Sequence, residues 1–470
     1  MNEASKITLP VFRLTQTCAS GDYGAVKVSF KNSTNNYFCR PAFFDSNKQG
    51  QDSAATNFNL MPVVLRGDGS LWREANIYLI NKVINSLNLS ISTYSSIAND
   101  LVSYRRFIEE NEIDFLNFPK FKFDRPTYIY RRYLLNLVED GIFSQGTARR
   151  KIQSVVNFYR WLIDRKRVVL ENPPWADGEA YITFKYKDGF LGSKTVKTTD
   201  LSIRIPSSKD PHSVTIEDGG KLRPLSIEEQ SLILQSLESF NNTKHSLIHY
   251  IALFTGARLQ TVLTLRYGNF PYVDNIQDQK EIRIPVGYGT KVDTKYDRQM
   301  VLHFPSWLYL KIRTFINSPK FSSDQKLEGD DRYIFTTSTG EPYYLSKGDM
   351  REFNPDLTSS RQKTGDAVWE YISRNIIPHI ETVTGKKFHY RFHDLRASFG
   401  MNLTEACLEQ VENKQITLSQ AREYVRARMG HASVATTDLY LNFKHKKKFL
   451  VAVQTQYEAH LKMLMDGVKA

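Results

Sequence analysis

Four stretches between residues 76 and 167 place their apolar side chains at helical spacing. In each of them apolar residues recur at positions i, i+3, i+4 and i+7, which is typical of an amphipathic helix with one buried face. The sequence ENPP at 171–174 ends the last stretch, because proline lacks a backbone N–H and disfavours helical geometry at the residue before it. The pattern predicts a small helical bundle at 76–170.

The polar faces of these predicted helices are basic. Seven residues carry the charge: Arg105, Arg106, Arg131, Arg132, Arg149, Arg150 and Lys151. The whole chain has 63 lysines and arginines against 50 aspartates and glutamates, a net charge of +13, and such an excess favours a polyanionic partner, most often nucleic acid. We predict that the seven residues contact DNA phosphates. Surface arginines whose stems pack on apolar neighbours are the alternative.

The remaining sequence divides into four further segments by polarity and periodicity. They are a strand-leaning extension of unknown role at 1–75, a polar linker with an inserted hairpin at 171–222, a second domain at 223–443 and a tail helix at 444–470. The second domain mixes helical stretches with a strand–turn–strand at 281–305. The expected fold class is therefore a multi-domain, mainly α chain, in which a helical bundle precedes a mixed α+β domain with a small antiparallel sheet.

Membrane and disulfide-rich classes of protein do not fit this sequence. No apolar run approaches the roughly 18–20 residues of a membrane span, and the first residues lack the basic and apolar regions of a secretory signal. The three cysteines, Cys18, Cys39 and Cys407, form no CxxC pair, so neither a disulfide framework nor a metal site is expected. We expect a cytoplasmic, nucleoid-associated protein without a membrane partner.

Two motifs in the second domain place arginines where they can hold an anion. TGAR at 255–258 puts Arg258 at the start of a helix, near backbone N–H groups that favour negative charge. HDLR at 393–396 puts His393 and Arg396 on one helix face. Two such guanidinium groups can bind the oxygens of a phosphate through planar, permanently charged donors.

Two further motifs add lysine, histidine and tyrosine. The strand–turn–strand offers Lys291 and Lys295 in or beside its turn. MGHASVATTDLY at 429–440 holds His431 and, nine residues later, Tyr440. Taken alone, a tyrosine at helical spacing is usually a buried core residue. The order of all four motifs, and no single one of them, points to chemistry.

The order and spacing of these motifs resemble the tyrosine recombinase (phage integrase) family. TGAR matches the family's first box, HDLR its second and MGHASVATTDLY its third. The third match is the most specific, since Gly-His, paired threonines and the tyrosine recur at the expected distances. The predicted bundle is similar to the family's core-binding domain, so the resemblance covers residues 76–445.

The resemblance implies metal-independent breakage and rejoining of DNA strands, without a cofactor, through a 3′-phosphotyrosyl intermediate. Tyr440 is then the nucleophile. Because a free tyrosine has a pKa of about 10, it needs a general base at neutral pH, and His393 is the candidate.

The other site residues take their expected roles from the same resemblance. Arg258 and Arg396 would clamp the phosphate and stabilise the charge that develops on it. His431 would hydrogen-bond to the phosphate or help to position it. A lysine of the turn would protonate the leaving 5′-oxygen, with Lys291 as the first choice and Lys295 as the alternative.

The family further implies a site-specific recombinase or integrase of a mobile element that closes on double-stranded DNA as a C-shaped clamp. A homodimer would bind inverted core sites, a homotetramer would form the synaptic complex, and the tail helix would dock in cis or in trans. A type IB topoisomerase-like enzyme and a catalytically silent DNA-binding protein are the alternatives. The chain departs from the family pattern at Thr261 and Asn269, where acidic residues are usual.

Overall fold

The computed structural model divides the chain into two compact units. One comprises Met1–Ser208 and Met350–Gln362, and the other comprises Lys209–Asp349 and Lys363–Ala470. The structure describes residues 3–22, 25–28, 37–41, 57–85, 90–164, 168–185, 191–204, 215–218, 220–325, 328–443 and 457–463. Both units combine helices with small antiparallel sheets, so the mainly helical character with small antiparallel sheets agrees with the expected fold class.

The N-terminal extension forms strands that belong to the first unit. These are β1 (Ser5–Arg13), β2 (Thr15–Cys18), β3 (Val26–Val28), β4 (Tyr37–Pro41) and β5 (Asn57–Leu65). β1 pairs antiparallel with β5, and β4 lies between β2 and β3. The Asn76 side chain fastens β5 to the first helix, because it donates to the Val64 carbonyl at 2.9 Å and accepts from the Val64 N–H at 2.8 Å. The structure thus joins the predicted extension to the predicted bundle.

Four helices occupy the region of the predicted bundle. They are α1 (Arg73–Asn85), α2 (Ile91–Glu110), α3 (Pro126–Glu139) and α4 (Gln145–Asp164). Their apolar faces meet in an aromatic core, in which Trp72 packs edge-on against Phe158 with ring centroids 5.3 Å apart. The hydroxyls of Tyr104 and Tyr159 share a 2.6 Å hydrogen bond inside this core, so two buried polar groups satisfy each other.

Two hairpins follow the bundle in the chain. β6 (Asp177–Lys185) and β7 (Leu191–Thr199) pair antiparallel and belong to the first unit. β8 (Ile216–Glu217) and β9 (Lys221–Leu222) pair over two positions and belong to the second unit. A segment predicted as one linker is therefore divided between the two units.

The chain after β9 is mostly helical and contains one longer hairpin. The helices are α5 (Ile227–Ser239), α6 (Thr243–Thr255), α7 (Leu259–Leu263), α8 (Ser306–Ile316), α9 (Pro319–Ser323), α10 (Lys347–Arg351), α11 (Asp366–Tyr371), α12 (Ile377–Thr384), α13 (Phe392–Glu412) and α14 (Leu418–Met429), and residues 434–443 are helical as well. β10 (Glu281–Val286) and β11 (Met300–Pro305) pair antiparallel over six positions. This hairpin is the predicted strand–turn–strand.

The start of α5 and the burial of α6 follow from the sequence. Ser226 Oγ accepts from the Glu229 backbone N–H at 3.2 Å, and the Glu229 carboxylate accepts from the Ser226 N–H at 2.8 Å, which makes a capping box. α6 is apolar around most of its circumference, so it lies in the core, where it packs against α13. This contact positions the candidate site, because TGAR follows α6 and HDLR lies on α13.

The tail is described only in part. Residues 457–463 are helical, with exposed Tyr457 and Leu461. The basic HKKK sequence at 445–448 and the rest of the predicted tail helix lie outside the described residues, so its docking stays a prediction. Within the described ranges, no helix is both long and apolar enough to cross a membrane.

Candidate active site

A glycine places Arg258 at the edge of the core. Gly256 ends α6 with a left-handed backbone, φ 70°, which favours glycine. A Cβ atom at this position would also lie 2.4 Å from the Phe399 ring. The chain turns here, and Arg258 becomes the N-cap residue of α7. TGAR is therefore a helix end, a tight turn and a new helix start.

Arg396 on α13 is almost completely buried. Its Nη1 donates to the Gly256 carbonyl at 2.6 Å and its Nη2 to the Met429 carbonyl at 2.8 Å. These carbonyls lie at the C-terminal ends of α6 and α14, where the helix dipole favours a cation. The Nε donates to Asp218 Oδ2 at 2.9 Å. Arg396 thus joins three helices and presents one edge of its guanidinium to an anion.

Two local contacts fix the orientation of His431. Gly430 caps α14 with a left-handed backbone, φ 60°, and the His431 N–H donates to the Arg426 carbonyl at 3.0 Å. The ring Nδ1 lies 3.0 Å from the hydroxyl of Thr437 in the next helix. Because Thr437 is fully buried, this hydrogen bond holds the ring in place and leaves Nε2 facing the site. No role for Thr437 follows from the sequence motif alone.

The Tyr440 side chain packs against residues of its own chain. It is fully buried, and its ring stacks on His431 with centroids 5.6 Å apart. A Cβ atom at Gly400 would lie 2.5 Å from the Tyr440 ring, so glycine at this position of α13 makes room for the tyrosine. The structure therefore brings the candidate nucleophile to the arginines of the same chain.

The site also contains a carboxylate that no sequence motif predicts. Asp218 Oδ1 accepts from Arg258 Nη2 at 3.0 Å, and Oδ2 accepts from Arg396 Nε at 2.9 Å. The same Oδ2 lies 3.3 Å from His431 Nε2 and 3.3 Å from the Tyr440 hydroxyl. Four of the predicted catalytic residues therefore converge on one buried side chain.

Asp218 comes directly after β8, in sequence that was predicted to be a linker. No motif marks it there. The available signal is chemical, since two converging buried arginines require an anionic partner. β8 pairs with β9, and Ile216 of β8 is buried in one cluster with Met429 and Tyr440. These contacts hold the carboxylate in the site.

Burial and charge set the protonation states in this cluster. Burial raises the pKa of Asp218, but the hydrogen bond from His431 and the two arginine charges outweigh it and hold the pKa far below its usual value. Burial, and after it the charge of Asp218, raises the pKa of Tyr440 well above its ordinary value. At pH 7 Asp218 is therefore an anion, and Tyr440 is a neutral phenol.

His393 lies one turn before Arg396 on α13 and is half-buried. Burial lowers its pKa, and the charges of Arg258 and Arg396 lower it further, against the opposing charge of Asp218. A neutral imidazole can accept a proton, as a general base must. Burial also lowers the pKa of His431, although Asp218 acts to raise it.

The two turn lysines lie in different places. Lys295 opens a short turn in which Tyr296 has a positive φ of 61°. It lines a cavity of about 190 Å³ together with both arginines and His431. Lys291 pairs with Asp331 at 2.5 Å, and more than half of its side chain is exposed. The structure therefore brings Lys295 to the cavity and directs Lys291 to a surface ion pair.

Two of the predicted DNA-contacting residues face inward. Lys151 is buried, with its Nζ 3.9 Å from the buried Asp100 and over the Phe143 ring. Arg105 donates to Glu109 at 2.6 Å, and little of its side chain is exposed. Lys151 is thus held beside a buried carboxylate, whereas Arg105 pairs with the part-exposed Glu109. Contact of these two residues with DNA stays a prediction.

The other five predicted residues are nearer to the surface. Four of them donate within the first unit: Arg106 to the Ala4 carbonyl, Arg131 to the Leu201 carbonyl, Arg149 to the Ile203 carbonyl and Arg150 to the Asp100 carboxylate. Arg132 is exposed. Contact of these five with DNA stays a prediction.

Part of the sequence is similar to curated tyrosine recombinases. Over 94 residues, 20% of this chain, it is 31% identical to the tyrosine recombinase XerC of Listeria welshimeri, of which the match covers 29%. Over 86 residues, 18% of this chain, it is 34% identical to XerC of Listeria monocytogenes, of which the match covers 26%. The chain thus spans less than a third of the length of these relatives. No family model matches it.

Solved recombinase structures align with a larger part of the chain. XerH site-specific recombinase bound to a palindromic difH substrate is 14% identical, with a TM-score of 0.42 over 78% of this chain and 85% of that one. The Tn1549 transposon integrase in complex with circular intermediate DNA is 12% identical, with a TM-score of 0.43 over 78% and 94%. A lambda integrase dimer bound to a COC′ core site is 15% identical, with a TM-score of 0.43 over 79% and 94%. At these TM-scores the likeness adds nothing to the sequence matches.

The order of the site residues agrees with the sequence matches. Arg258, a turn lysine, His-x-x-Arg, Gly-His and Tyr440 follow one another along the chain, and the curated proteins it matches carry the name tyrosine recombinase. Over the matched residues, the sequence is therefore similar to tyrosine recombinases.

Proposed function

We propose that the chain is a site-specific DNA recombinase or integrase of a mobile element, which cuts and rejoins DNA through a 3′-phosphotyrosyl intermediate. The observation that carries the proposal is a set of donors converging on one anion. Arg258, Arg396, His431 and Tyr440 all reach the Asp218 carboxylate within 3.3 Å. An anion site with a tyrosine hydroxyl aimed at its centre is the arrangement that phosphotyrosyl chemistry needs.

Cleavage begins with the tyrosine. While Arg258 and Arg396 hold the non-bridging oxygens, the Tyr440 oxygen attacks phosphorus and its proton passes to His393, which its lowered pKa keeps neutral. The bond from phosphorus to the 5′-oxygen breaks, and the 3′-phosphate stays joined to Tyr440. The arginines stabilise the additional negative charge of the transition state.

The leaving 5′-oxygen needs a proton, and we assign its donation to Lys295. This lysine lines the cavity with both arginines, whereas Lys291 is engaged with Asp331 at the surface. The sequence ranked the two lysines in the opposite order, but the geometry supports Lys295. In rejoining, the 5′-hydroxyl attacks phosphorus and returns its proton to the lysine. The bond from phosphorus to the Tyr440 oxygen breaks, and His393 returns its proton to that oxygen.

We propose the corresponding assembly as well. Double-stranded DNA with inverted core sites would bind a homodimer, each protomer closing as a C-shaped clamp, and two dimers would form the tetramer for strand exchange. The net charge of +13 supports a DNA partner, since each neutralised phosphate releases condensed counterions.

A covalent adduct tests the proposed function. The full chain is incubated, without divalent metal, with labelled nicked duplexes tiled across the DNA that flanks its coding sequence, so that the freed 5′ fragment diffuses away. We expect denaturing electrophoresis to show protein joined to DNA for the wild type and no adduct for Tyr440→Phe, which preserves the packing of the ring.

Two outcomes contradict the proposal. If both proteins bind DNA and neither gives an adduct on any duplex, the chain is a silent DNA-binding protein. If the wild-type monomer relaxes any supercoiled plasmid, a type IB topoisomerase-like activity is the better description.

A further inference from the structure

We propose that Asp218 is an internal surrogate for the scissile phosphate, which closes the site in the free chain until a DNA phosphate displaces it. This inference rests on the proposed function, because it takes Arg258 and Arg396 as the residues that hold the phosphate. The segment 216–218, in which Asp218 directly follows β8, then acts as an autoinhibitory strap.

The carboxylate of Asp218 takes the contacts that a phosphate needs. Its oxygens are divided between the arginines, with Arg258 Nη2 at 3.0 Å from Oδ1 and Arg396 Nε at 2.9 Å from Oδ2. His431 Nε2 also faces Oδ2. A carboxylate and a phosphodiester both present two oxygens that share one negative charge, and guanidinium groups bind both. These donors cannot serve the two anions at the same time.

The nucleophile is engaged by the same side chain. The Tyr440 hydroxyl donates to Asp218 Oδ2 at 3.3 Å. The carboxylate therefore occupies the position in which the scissile phosphorus would have to lie for Tyr440 to attack it. Burial raises the pKa of the Tyr440 phenol, and the negative charge of Asp218 raises it further, whereas the arginines act in the opposite direction. The contact therefore excludes the substrate and makes ionisation of the nucleophile more costly.

The backbone attachment of Asp218 is short. β8 pairs with β9 over two positions, Ile216 with Leu222 and Glu217 with Lys221, while the β10–β11 hairpin pairs over six. Moving the strap breaks few backbone hydrogen bonds. The larger cost is electrostatic, because it leaves buried arginines without a partner. An incoming phosphate offsets that cost by taking the same donors, so exchange is favoured over simple opening.

A positioning role is the alternative for the same carboxylate. The family pattern has an acidic residue three positions after the first arginine, where this chain has the buried Thr261, and Asp218 would replace it. The contact with Tyr440 favours the surrogate, because a carboxylate that stayed during catalysis would stand between the nucleophile and phosphorus. The two roles predict opposite effects of removing the charge.

Inorganic phosphate probes the anion site without any cleavable DNA. Full chains with Asp218→Ala or Asp218→Asn are titrated with phosphate at constant ionic strength, and the Tm is followed. We expect each variant to bind phosphate at least about tenfold more tightly than the wild type, since no internal anion competes. In double variants that combine Arg258→Ala with an Asp218 substitution, we expect this increase in phosphate affinity to be lost.

Controls keep the titration decisive. Glu370→Gln removes an exposed negative charge from the same unit and should bind phosphate like the wild type. Asp218→Asn keeps the volume of the side chain if the alanine variant does not fold. Equal phosphate affinity in the wild type and the Asp218 variants overturns the surrogate role.

Cleavage separates the surrogate from a positioning residue. On a nicked duplex below saturating DNA, we expect Asp218→Ala to form the adduct faster than the wild type. Slower adduct formation with unchanged phosphate affinity identifies a positioning residue and overturns our proposal. Tighter phosphate binding by the variants, in a chain that forms no adduct at all, contradicts the proposed recombinase and still supports Asp218 as the occupant of an anion site.

Discussion

Arg396 has two tasks that a substitution cannot separate. Its guanidinium fastens the ends of α6 and α14 through the Gly256 and Met429 carbonyls, and it also presents Nε to the anion. An inactive alanine variant at this position would therefore not distinguish lost chemistry from lost packing. Arg258 is the cleaner probe, because 21% of its side chain is exposed and its described ion pair is with Asp218 alone.

Lys295 is expected to supply the proton to the leaving group. We predict that Lys295→Ala slows adduct formation by about 10²–10⁴-fold, the usual contribution of a general acid, because the 5′-oxygen then leaves as an alkoxide. A duplex with sulfur in place of the bridging 5′-oxygen should restore the rate, since a thiolate leaves without protonation. Quenched time courses on the nicked duplex give both rates.

Lys291→Ala is the matched control for this prediction. Its ammonium group pairs with Asp331 at the surface, so the substitution should leave the rate near that of the wild type. Loss of rate in Lys291→Ala, with rescue by the sulfur substrate, would assign the acid to Lys291 instead.

Gly400 is expected to be essential for seating the nucleophile. A Cβ atom there would lie 2.5 Å from the Tyr440 ring, so Gly400→Ala should displace the ring and abolish the adduct while DNA binding persists. Overpacking of this kind destabilises by about 1–3 kcal/mol, which urea denaturation can measure. Gly348→Ala is the control, because its Cβ would meet Ser346 Oγ at an ordinary 3.8 Å. An active, stable Gly400→Ala chain would show that Tyr440 is not held as described.

At the scale of elements, α6 carries two histidines that make stability depend on pH. Burial lowers the pKa of His245 to about 3 and that of His249 to about 4. Both are neutral in the folded chain at a pH where the unfolded chain already protonates them, near 6.5. Their contribution is therefore fully present above pH 6.5 and is lost progressively as the pH falls towards 4.

Replacing one of these histidines should flatten the pH profile. Between pH 6.5 and 5, the free energy of unfolding of the wild type decreases as the pH is lowered. We predict that this decrease is smaller in His249→Gln by about 1.4 kcal/mol per pH unit. Urea denaturation at several pH values measures the slope. His460→Gln removes an exposed histidine and serves as the control. An unchanged slope in His249→Gln would mean that His249 is protonated in the folded chain.

Elements with a local signal can be predicted from sequence, and contacts made across long intervals cannot. α4 shows its apolar period within its own 20 residues, so its existence follows from the pattern. β1 pairs with β5 from the other end of the extension, and no local pattern specifies that partner. The burial of Lys151 could not be predicted from the helical pattern either. This residue occupies a polar position of α4, but its side chain is buried beside Asp100.

At the scale of the whole molecule, the net charge of +13 predicts DNA binding that weakens steeply with salt. Arg132 is exposed, so Arg132→Ala should lower the slope of log K against log salt by about one. Lys151→Ala should leave the slope unchanged and destabilise the first unit, because Asp100 loses a neighbouring charge. Fluorescence anisotropy over a salt series tests both, and the reverse pattern would overturn this assignment.

The composition of the site was only partly predictable at this scale. The expected reacting groups come from the resemblance of the motifs and their order to the tyrosine recombinase family. Asp218 was missed because it reaches the arginines through the β8–β9 turn, and the choice between Lys291 and Lys295 depends on how the β10–β11 turn folds. Both depend on three-dimensional proximity, which residue spacing does not encode.

A carboxylate inside the site would change how the chain discriminates between DNA sequences. Every phosphodiester would have to displace the Asp218 carboxylate from the arginines before it can react. This displacement would cost the same amount of binding free energy for every DNA sequence. A duplex that matches the protein along its length supplies that amount, whereas a random duplex, held mainly by charge, does not. Selectivity then appears in the rate of cutting as well as in affinity. DNA of non-cognate sequence would then bind and dissociate without being cleaved.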